Sequence, residues 1–179
     1  LTKQNGTTPD PVNLGFSVQT GEVRSRGVEL EATAEVTENI KIQAAYAFNY
    51  TKTTKSNSGN QGDEFSLAPR NIASLWVDYE FPSSIAEGLS IGGGVRYVGS
   101  SYAFERTVTL TDRHRNEANT LVDAAIRYDL GSLVPVFEKA ELALNVSNLF
   151  DHDYQVCYSR FDCQRGDPFV ALGSLRLSW

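Results

Sequence analysis

From Val28 onward, apolar and polar residues alternate with a period of two. Val28, Leu30, Ala32, Ala34 and Val36 interleave with Glu29, Glu31, Thr33, Glu35 and Thr37. After Glu38 and Asn39 the pattern restarts, with Ile40, Ile42, Ala44, Tyr46, Phe48 and Tyr50 on one face and Lys41, Gln43, Asn49 and Thr51 on the other. An amphipathic helix repeats at three and four, so a period of two reads as β-strand, and a two-residue polar joint makes these two runs a hairpin. The same alternation returns over residues 73–79, 89–97, 121–130, 140–147 and 169–179. The pattern predicts about seven antiparallel strands and no amphipathic helix.

The connections fall into two kinds. Glu38-Asn39, 82–88 and 131–138 are short, whereas 54–68, 103–119 and 150–168 are long and polar, and 1–14 reads as the tail of another long loop. Short turns at one end and long loops at the other are the arrangement of an outer-membrane β-barrel. Tyr46, Phe48, Tyr50, Tyr79, Phe81, Tyr97, Tyr102 and Tyr128 sit near strand ends, where an interfacial aromatic belt is expected. A soluble β-sandwich also alternates, but its strands usually run about 5–6 residues, shorter than most runs here. No stretch reaches the ~18 apolar residues of a membrane helix, which leaves a barrel open. At 41% hydrophobic and 21% charged, the chain is too apolar for a disordered tail. With 16 basic against 22 acidic residues and a formal charge of −6, it lacks the basic footprint of a nucleic-acid binder. It starts at Leu1 and contains no Met, so it is expected to be a piece of a longer product. An odd strand number points the same way, since single-chain bacterial barrels have even counts.

Few residues carry a chemical signal. Glu29, Glu31 and Glu35 share a face, with Arg24, Arg26 and Lys41 close in sequence; they read as a solvated ladder lining a wide barrel rather than a catalytic carboxylate pair. Asp151-His152-Asp153 with His114 is a weak metal set, no nucleophile elbow is present, and Gly92-Gly93-Gly94 lacks the following helix of a phosphate cradle. Small residues there read as relief for bending or close luminal packing. Nothing argues for an enzyme. Cys157 and Cys163, six apart, suit a small disulfide loop in an oxidising compartment; two free thiols are the alternative, and zinc lacks a full ligand set. Tyr154, Tyr158, Phe161 and Phe169 surround that loop, as a binding surface or as part of an upper aromatic girdle.

These residues also carry a resemblance. The run from Gln19 to Glu31 resembles the G-E-x-R-S-R-G-x-E-x-E segment of TonB-dependent siderophore receptors. Ala45-Tyr46-Ala47-Phe48 fits their next strand, Ala68-Pro69-Arg70-Asn71 looks like their A-P-x-N/H approach to the one after, and Asn148-Leu149-Phe150-Asp151 with Tyr154 is similar to their N-L-F-D-x-x-Y. The Cys157/Cys163 pair before a final strand resembles the hydroxamate branch, of ferrichrome or ferrioxamine type. The resemblance implies that residues 1–179 are the C-terminal portion of a 22-strand outer-membrane barrel in a Gram-negative bacterium, with the plug domain and coupling box outside this chain. It implies energy-dependent uptake of a ferric siderophore, iron being carried within the chelate and no cofactor held by the protein. Partners would be the siderophore, the TonB protein through the missing N-terminal region, the barrel assembly machinery and outer-membrane lipid. In the last outer loop Tyr158, Arg160 and Phe161 are the expected ligand contacts; Leu175, Leu177 and the terminal Trp179 are the expected assembly signal, facing lipid. The competing readings are a structural or adhesive barrel without a ligand, and a secreted β-sandwich binding module.

Overall fold

Period-two alternation forces side chains to opposite faces of an extended chain, and the register of pairing decides whether those faces stay uniform across a sheet. The computed structural model describes residues 2–106, 111–132, 140–159 and 161–177. Its strands are β1 (Thr2–Pro9), β2 (Ser17–Thr37), β3 (Ile40–Lys55), β4 (Asn71–Glu80), β5 (Leu89–Val98), β6 (Ser101–Arg106), β7 (Thr111–Asn116), β8 (Asn119–Asp129), β9 (Ala140–Ser147), β10 (Gln155–Cys157), β11 (Cys163–Arg165) and β12 (Val170–Leu177). One short helix, α1 (Ser83–Ala86), lies between β4 and β5. Eight strands form one antiparallel sheet in the order β1-β2-β3-β4-β5-β8-β9-β12, while β6–β7 and β10–β11 are separate hairpins within the loops.

The register keeps apolar residues opposite one another from strand to strand. Val28 faces Phe48, Ile42 faces Val77, Leu75 faces Val95, Ile91 faces Ile126, and Leu142 faces Tyr128 and Leu175. The result is one continuous apolar face that no second sheet covers among the described residues: Leu30 is 61% and Leu175 58% exposed. A β-sandwich would bury such a face, and water would not tolerate a patch of this extent. Hydrocarbon does. Aromatic side chains rim it at both ends, with Tyr46, Phe48, Tyr50 and Tyr97 toward the long loops and Tyr79 and Tyr128 toward the short turns. Phe81 joins the second group, its ring 4.9 Å from Tyr79 in an edge-on contact. From Ile40 to Tyr50 a strand rises about 33 Å. Tilted by about 40°, that covers a depth of about 25 Å, the height of a barrel's apolar band.

The opposite face is polar and closely packed. Asp78 accepts hydrogen bonds from Trp76 Nε1 at 2.7 Å and Arg127 Nη1 at 2.9 Å, and Arg96 grips Asp123 with two. The Trp76 indole lies across Gly92 and Gly94, where an added β-carbon would stand 2.6 and 2.5 Å from ring carbons. Close luminal packing, expected from the glycine run, is thus present at these two positions. Glu29, Glu31 and Glu35 lie on this face opposite Ala47, Ala45 and Lys41, as a ladder rather than a carboxylate pair.

Seven of the eight sheet strands coincide with the period-two runs, and three local expectations change. Residues 1–14 are not simply loop: Thr2–Pro9 is β1, paired with the outer part of β2. Its residues are polar on both faces, because this hairpin stands beyond the apolar band, so alternation could not reveal it. Arg24 and Arg26 have the parity of Val28, which puts them on the face opposite Glu29 and not in its ladder. Tyr102 lies in the β6–β7 hairpin, with the Arg113 guanidinium 3.7 Å from its ring centroid, and so leaves the girdle.

Candidate functional site

The long connections gather at one end of the sheet, and backbone and side-chain hydrogen bonds tie each to its neighbour. Thr8 Oγ1 accepts from the N–H of Asn57, whose Nδ2 donates to the Pro9 carbonyl, joining β1 to residues 56–70. The N–H of Leu67 donates to the Tyr102 carbonyl at 2.8 Å, joining that loop to β6. Asn116 at the end of β7 then meets β10: the N–H of Cys157 donates to Asn116 Oδ1 at 2.8 Å, and Asn116 Nδ2 returns a bond to the Cys157 carbonyl at 3.0 Å. The side-chain amide so imitates one residue of a partner strand, and both Asn116 and Cys157 are buried. Four loops are thereby linked in series around the rim.

At the base of the last loop stands Asn148, 1% exposed and in left-handed backbone conformation with φ of 50°. Asn tolerates that conformation better than other side chains. Its Nδ2 donates to the carbonyls of His152 and Asp167, both at 3.0 Å, and its Oδ1 accepts from the N–H of His152 at 2.9 Å. Its own N–H donates to Asp123 Oδ1. Asp151, with φ of 49°, accepts from the N–H of Phe169 at 2.8 Å. The first and last residues of the loop are therefore bolted together at its foot. Above them Tyr154 rests on Gly166, a position where a side chain would overlap the ring. Trp76, Arg96, Asp123, Asn145 and Asn148, with Tyr154 and Asp167 of the loop and the apolar Leu121, Ala124 and Val146, line an open hollow of about 450 Å³ beneath this loop. It presents a guanidinium, two carboxylates, amides and two aromatic rings beside aliphatic surface, a mixture suited to an oxygen-rich organic solute.

At the outer turn between β1 and β2, Asp10 accepts from the side chain of Asn13 and from the N–H groups of Val12 and Asn13, which hold its carboxyl below the usual range. Arg70 is held above its ordinary value, chiefly by the two hydrogen bonds it donates to Glu64.

The site residues expected from sequence divide as follows. Cys157 and Cys163 form a disulfide across the β10–β11 register. Tyr158 is 44% and Phe161 81% exposed at the tip of that hairpin, where Ser159 Oγ accepts from the N–H groups of Phe161 and Asp162. Arg160 and Trp179 lie outside the described residues. Leu175 and Leu177 lie on the apolar face. His114 lies beside the bridge, one ring nitrogen and the two sulfurs all within 4.8 Å of one another, and each sulfur is bonded to the other. Sequence reasoning missed Asn116, Asp123 and the tying role of Asn148. The signal for Asn148 was present in the Asn148-Leu149-Phe150-Asp151 motif, while Asn116 had none, its partner being 41 residues away.

Comparison with known proteins agrees with this geometry. A family model described as TonB dependent receptor-like, beta-barrel, matches residues 1–149. The ferrichrome outer membrane transporter/phage receptor of Escherichia coli K12 is 35% identical over 164 residues, which is 91% of this chain and 21% of that protein. The metal-pseudopaline receptor of Pseudomonas aeruginosa is 33% identical over 181 residues, 100% of this chain and 24% of its own length. The chain thus spans between a fifth and a quarter of these relatives. Among solved structures, the ferric preacinetobactin receptor of Acinetobacter baumannii superposes with a TM-score of 0.76 at 22% identity, over 97% of this chain and 25% of that one. The chain belongs to the TonB-dependent receptor β-barrel family, outer-membrane proteins of Gram-negative bacteria.

Proposed function

We propose that this chain is the C-terminal portion of a barrel through which a ferric siderophore is taken up, with hydroxamate chelates as the preferred class. The observation that carries the reading is the hollow lined by Arg96, Asp123, Asn148 and Tyr154 at the foot of interlinked rim loops, in a chain 35% identical to a ferrichrome transporter over 91% of its length. The relatives are transport receptors rather than enzymes.

In this reading the rim makes first contact. Tyr158 and Phe161 offer flat apolar area at the hairpin tip, Arg160 adds a positive group for an oxygen-rich chelate, and the Cys157–Cys163 bridge fixes their arrangement before the ligand arrives. Ordering in advance lowers the entropic cost of binding. The hollow below, with Arg96, Asn148 and Tyr154, receives the solute as it leaves the rim. Iron travels inside the chelate and needs no protein ligand. Energy arrives through the TonB protein, acting on a coupling box and plug domain that belong to the remainder of the receptor. Trp179, with Leu175 and Leu177, is read by the barrel assembly machinery.

The deciding experiment expresses the full receptor in a Gram-negative strain lacking its own siderophore receptors and follows uptake of labelled iron as ferrichrome, as ferrioxamine B and as a metal–pseudopaline complex. Hydroxamate-dependent uptake that disappears when the strain lacks TonB supports the reading. Similarity to the metal-pseudopaline receptor over the whole chain favours that chelate as the second reading, and uptake of it alone would replace hydroxamates. No uptake of any chelate by a surface-exposed receptor would leave a structural or adhesive barrel.

A further inference from the structure

β7 turns alternate side chains toward two different neighbours. Arg113 lies over the Tyr102 ring and approaches Glu64 at 3.6 Å, and Arg115 reaches Ser100 on the same side. His114 and Asn116 go the other way, onto the β10–β11 hairpin. Asn116 holds the backbone of Cys157 by two hydrogen bonds. His114, whose partner across the β6–β7 pairing is the fully buried Ala103, stands beside the sulfurs of Cys157 and Cys163, with one imidazole nitrogen and both sulfurs within 4.8 Å of one another. No side-chain hydrogen bond engages the His114 ring among the described residues.

Two sulfurs and an imidazole nitrogen are a donor set for a thiophilic cation. In the oxidised receptor the sulfurs are spent on each other, yet the bridge is not all that keeps them beside His114. Asn116 pins β10 to β7, and Cys157 and Cys163 are register partners. The N–H of Tyr158 donates to the Asp162 carbonyl at 2.7 Å on one side of the bridge, and that of Gly166 to the Tyr154 carbonyl at 2.8 Å on the other. None of these ties needs the sulfur–sulfur bond, so opening it leaves the three donors together. Around a tetrahedral zinc, bonds of about 2.3 Å to sulfur and about 2.0 Å to nitrogen set the ligand atoms about 3.5–3.8 Å apart, inside the span seen here. Cys157 is buried and Cys163 exposed, so a fourth position opens outward.

We propose that reduction of the bridge by low-molecular-weight thiols in the surroundings turns Cys157, Cys163 and His114 into a zinc site at the rim. Two external thiols supply two electrons and two protons and leave joined as their own disulfide, while the bridge becomes two cysteine thiols. Zinc then displaces both S–H protons and is held by two thiolates and the neutral imidazole, with solvent in the fourth place. The bridge ties β10 only to β11, whereas the metal ties both to β7. The last loop is thus locked in either redox state, by different strands. The site does not depend on which chelate is carried.

The test uses the full receptor, purified free of metal, in oxidised form and in thiol-reduced form with the reductant removed under nitrogen. Cobalt(II) is the probe, because thiolate ligands give it an intense charge-transfer absorption, and zinc is added last to displace it. The paired variant Cys157→Ser, Cys163→Ser is titrated alongside to subtract binding by cysteines elsewhere in the receptor. The reduced, unaltered receptor is expected to take one more equivalent of cobalt than this variant, with the thiolate absorption, and the oxidised receptor no more than it. His114→Gln should weaken binding about tenfold or more, since even the outer partners of metal ligands are worth about 10–100-fold. His114→Cys, which restores a donor, should keep it, and His152→Ala, the other histidine of the chain, should change nothing. Equal cobalt binding by the oxidised and reduced unaltered receptor overturns the proposal, as does absence of the thiolate absorption after reduction, and neither outcome needs a variant that folds. Full affinity in a folded His114→Gln receptor overturns it as well, because the imidazole would then have no part in the site.

Discussion

The Asn148 side chain makes three hydrogen bonds to backbone groups at both ends of the last loop while itself being buried. Replacing it with Ala would strand one N–H and two carbonyls, and would force a β-carbon with no compensating amide into left-handed backbone. Asn148→Ala is expected to destabilise the receptor by about 2–3 kcal/mol, measured by thermal or denaturant unfolding, with loss of buried polar partners as the main cause. Limited proteolysis should locate the damage in residues 150–168, leaving the β2–β3 hairpin protected. A second residue-scale consequence follows from Trp76. At Gly94 a side chain would meet both the indole and the Leu75 carbonyl, so Gly94→Val should lower folded yield, whereas Gly93→Val, whose β-carbon would make only an ordinary contact with the Asp123 carbonyl at 3.9 Å, should not. The measurement is the folded fraction by heat-modifiable gel mobility.

At the scale of strands, the faces make opposite demands. Leu144 lies on the apolar face at mid-strand, so Leu144→Arg should cost about 2–4 kcal/mol in refolding titrations, and Ile42→Arg, on the same face but two residues from the start of β3, should cost less. Gln43→Arg and Asn145→Arg, one residue away but on the polar face, should be far milder. For the loops, replacing Cys157 and Cys163 by Ser removes a closure worth under about 3 kcal/mol by chain entropy, small beside the sheet itself. Chelate affinity should fall at unchanged surface level; unchanged affinity would remove the hairpin tip from the binding surface. The strands inside the apolar band were legible because a bilayer imposes two-sided chemistry on every residue. Beyond the band that constraint lapses: β1, with Lys3, Gln4 and Asn5 among its residues, is held by backbone pairing with β2 and by the Asn57 hydrogen bonds to Thr8 and Pro9, and shows no alternation. The β6–β7 and β10–β11 hairpins were hidden for the same reason, and the Asn116 contact with Cys157 depends on a docking that no local pattern encodes. Parity, had it been carried outward past Val28, would have separated Arg24 and Arg26 from the carboxylate ladder.

For the whole molecule, the rim is a chain of loop-to-loop bonds standing on a sheet that has one face for lipid and one for water. Removing Trp179 should reduce assembly into the outer membrane much more than it alters chelate affinity in the folded fraction, read by surface labelling beside binding to intact cells. Normal assembly of the truncated receptor would assign the signal elsewhere. The sheet has two outer edges among the described residues, one along β12 and one along β1 and the part of β2 that β1 leaves uncovered. In hydrocarbon an unpaired row of N–H and C=O groups costs several kcal/mol per group, so those edges must meet other strands before the structure can rest in a membrane. Each tilted strand adds about 6 Å of girth, and eight make an arc of about 50 Å. The curvature of that arc is then fixed by how many further strands share the circumference, and with it the bore of the finished cylinder: the width of the passage is a matter of counting strands, while its lining is a matter of side chains.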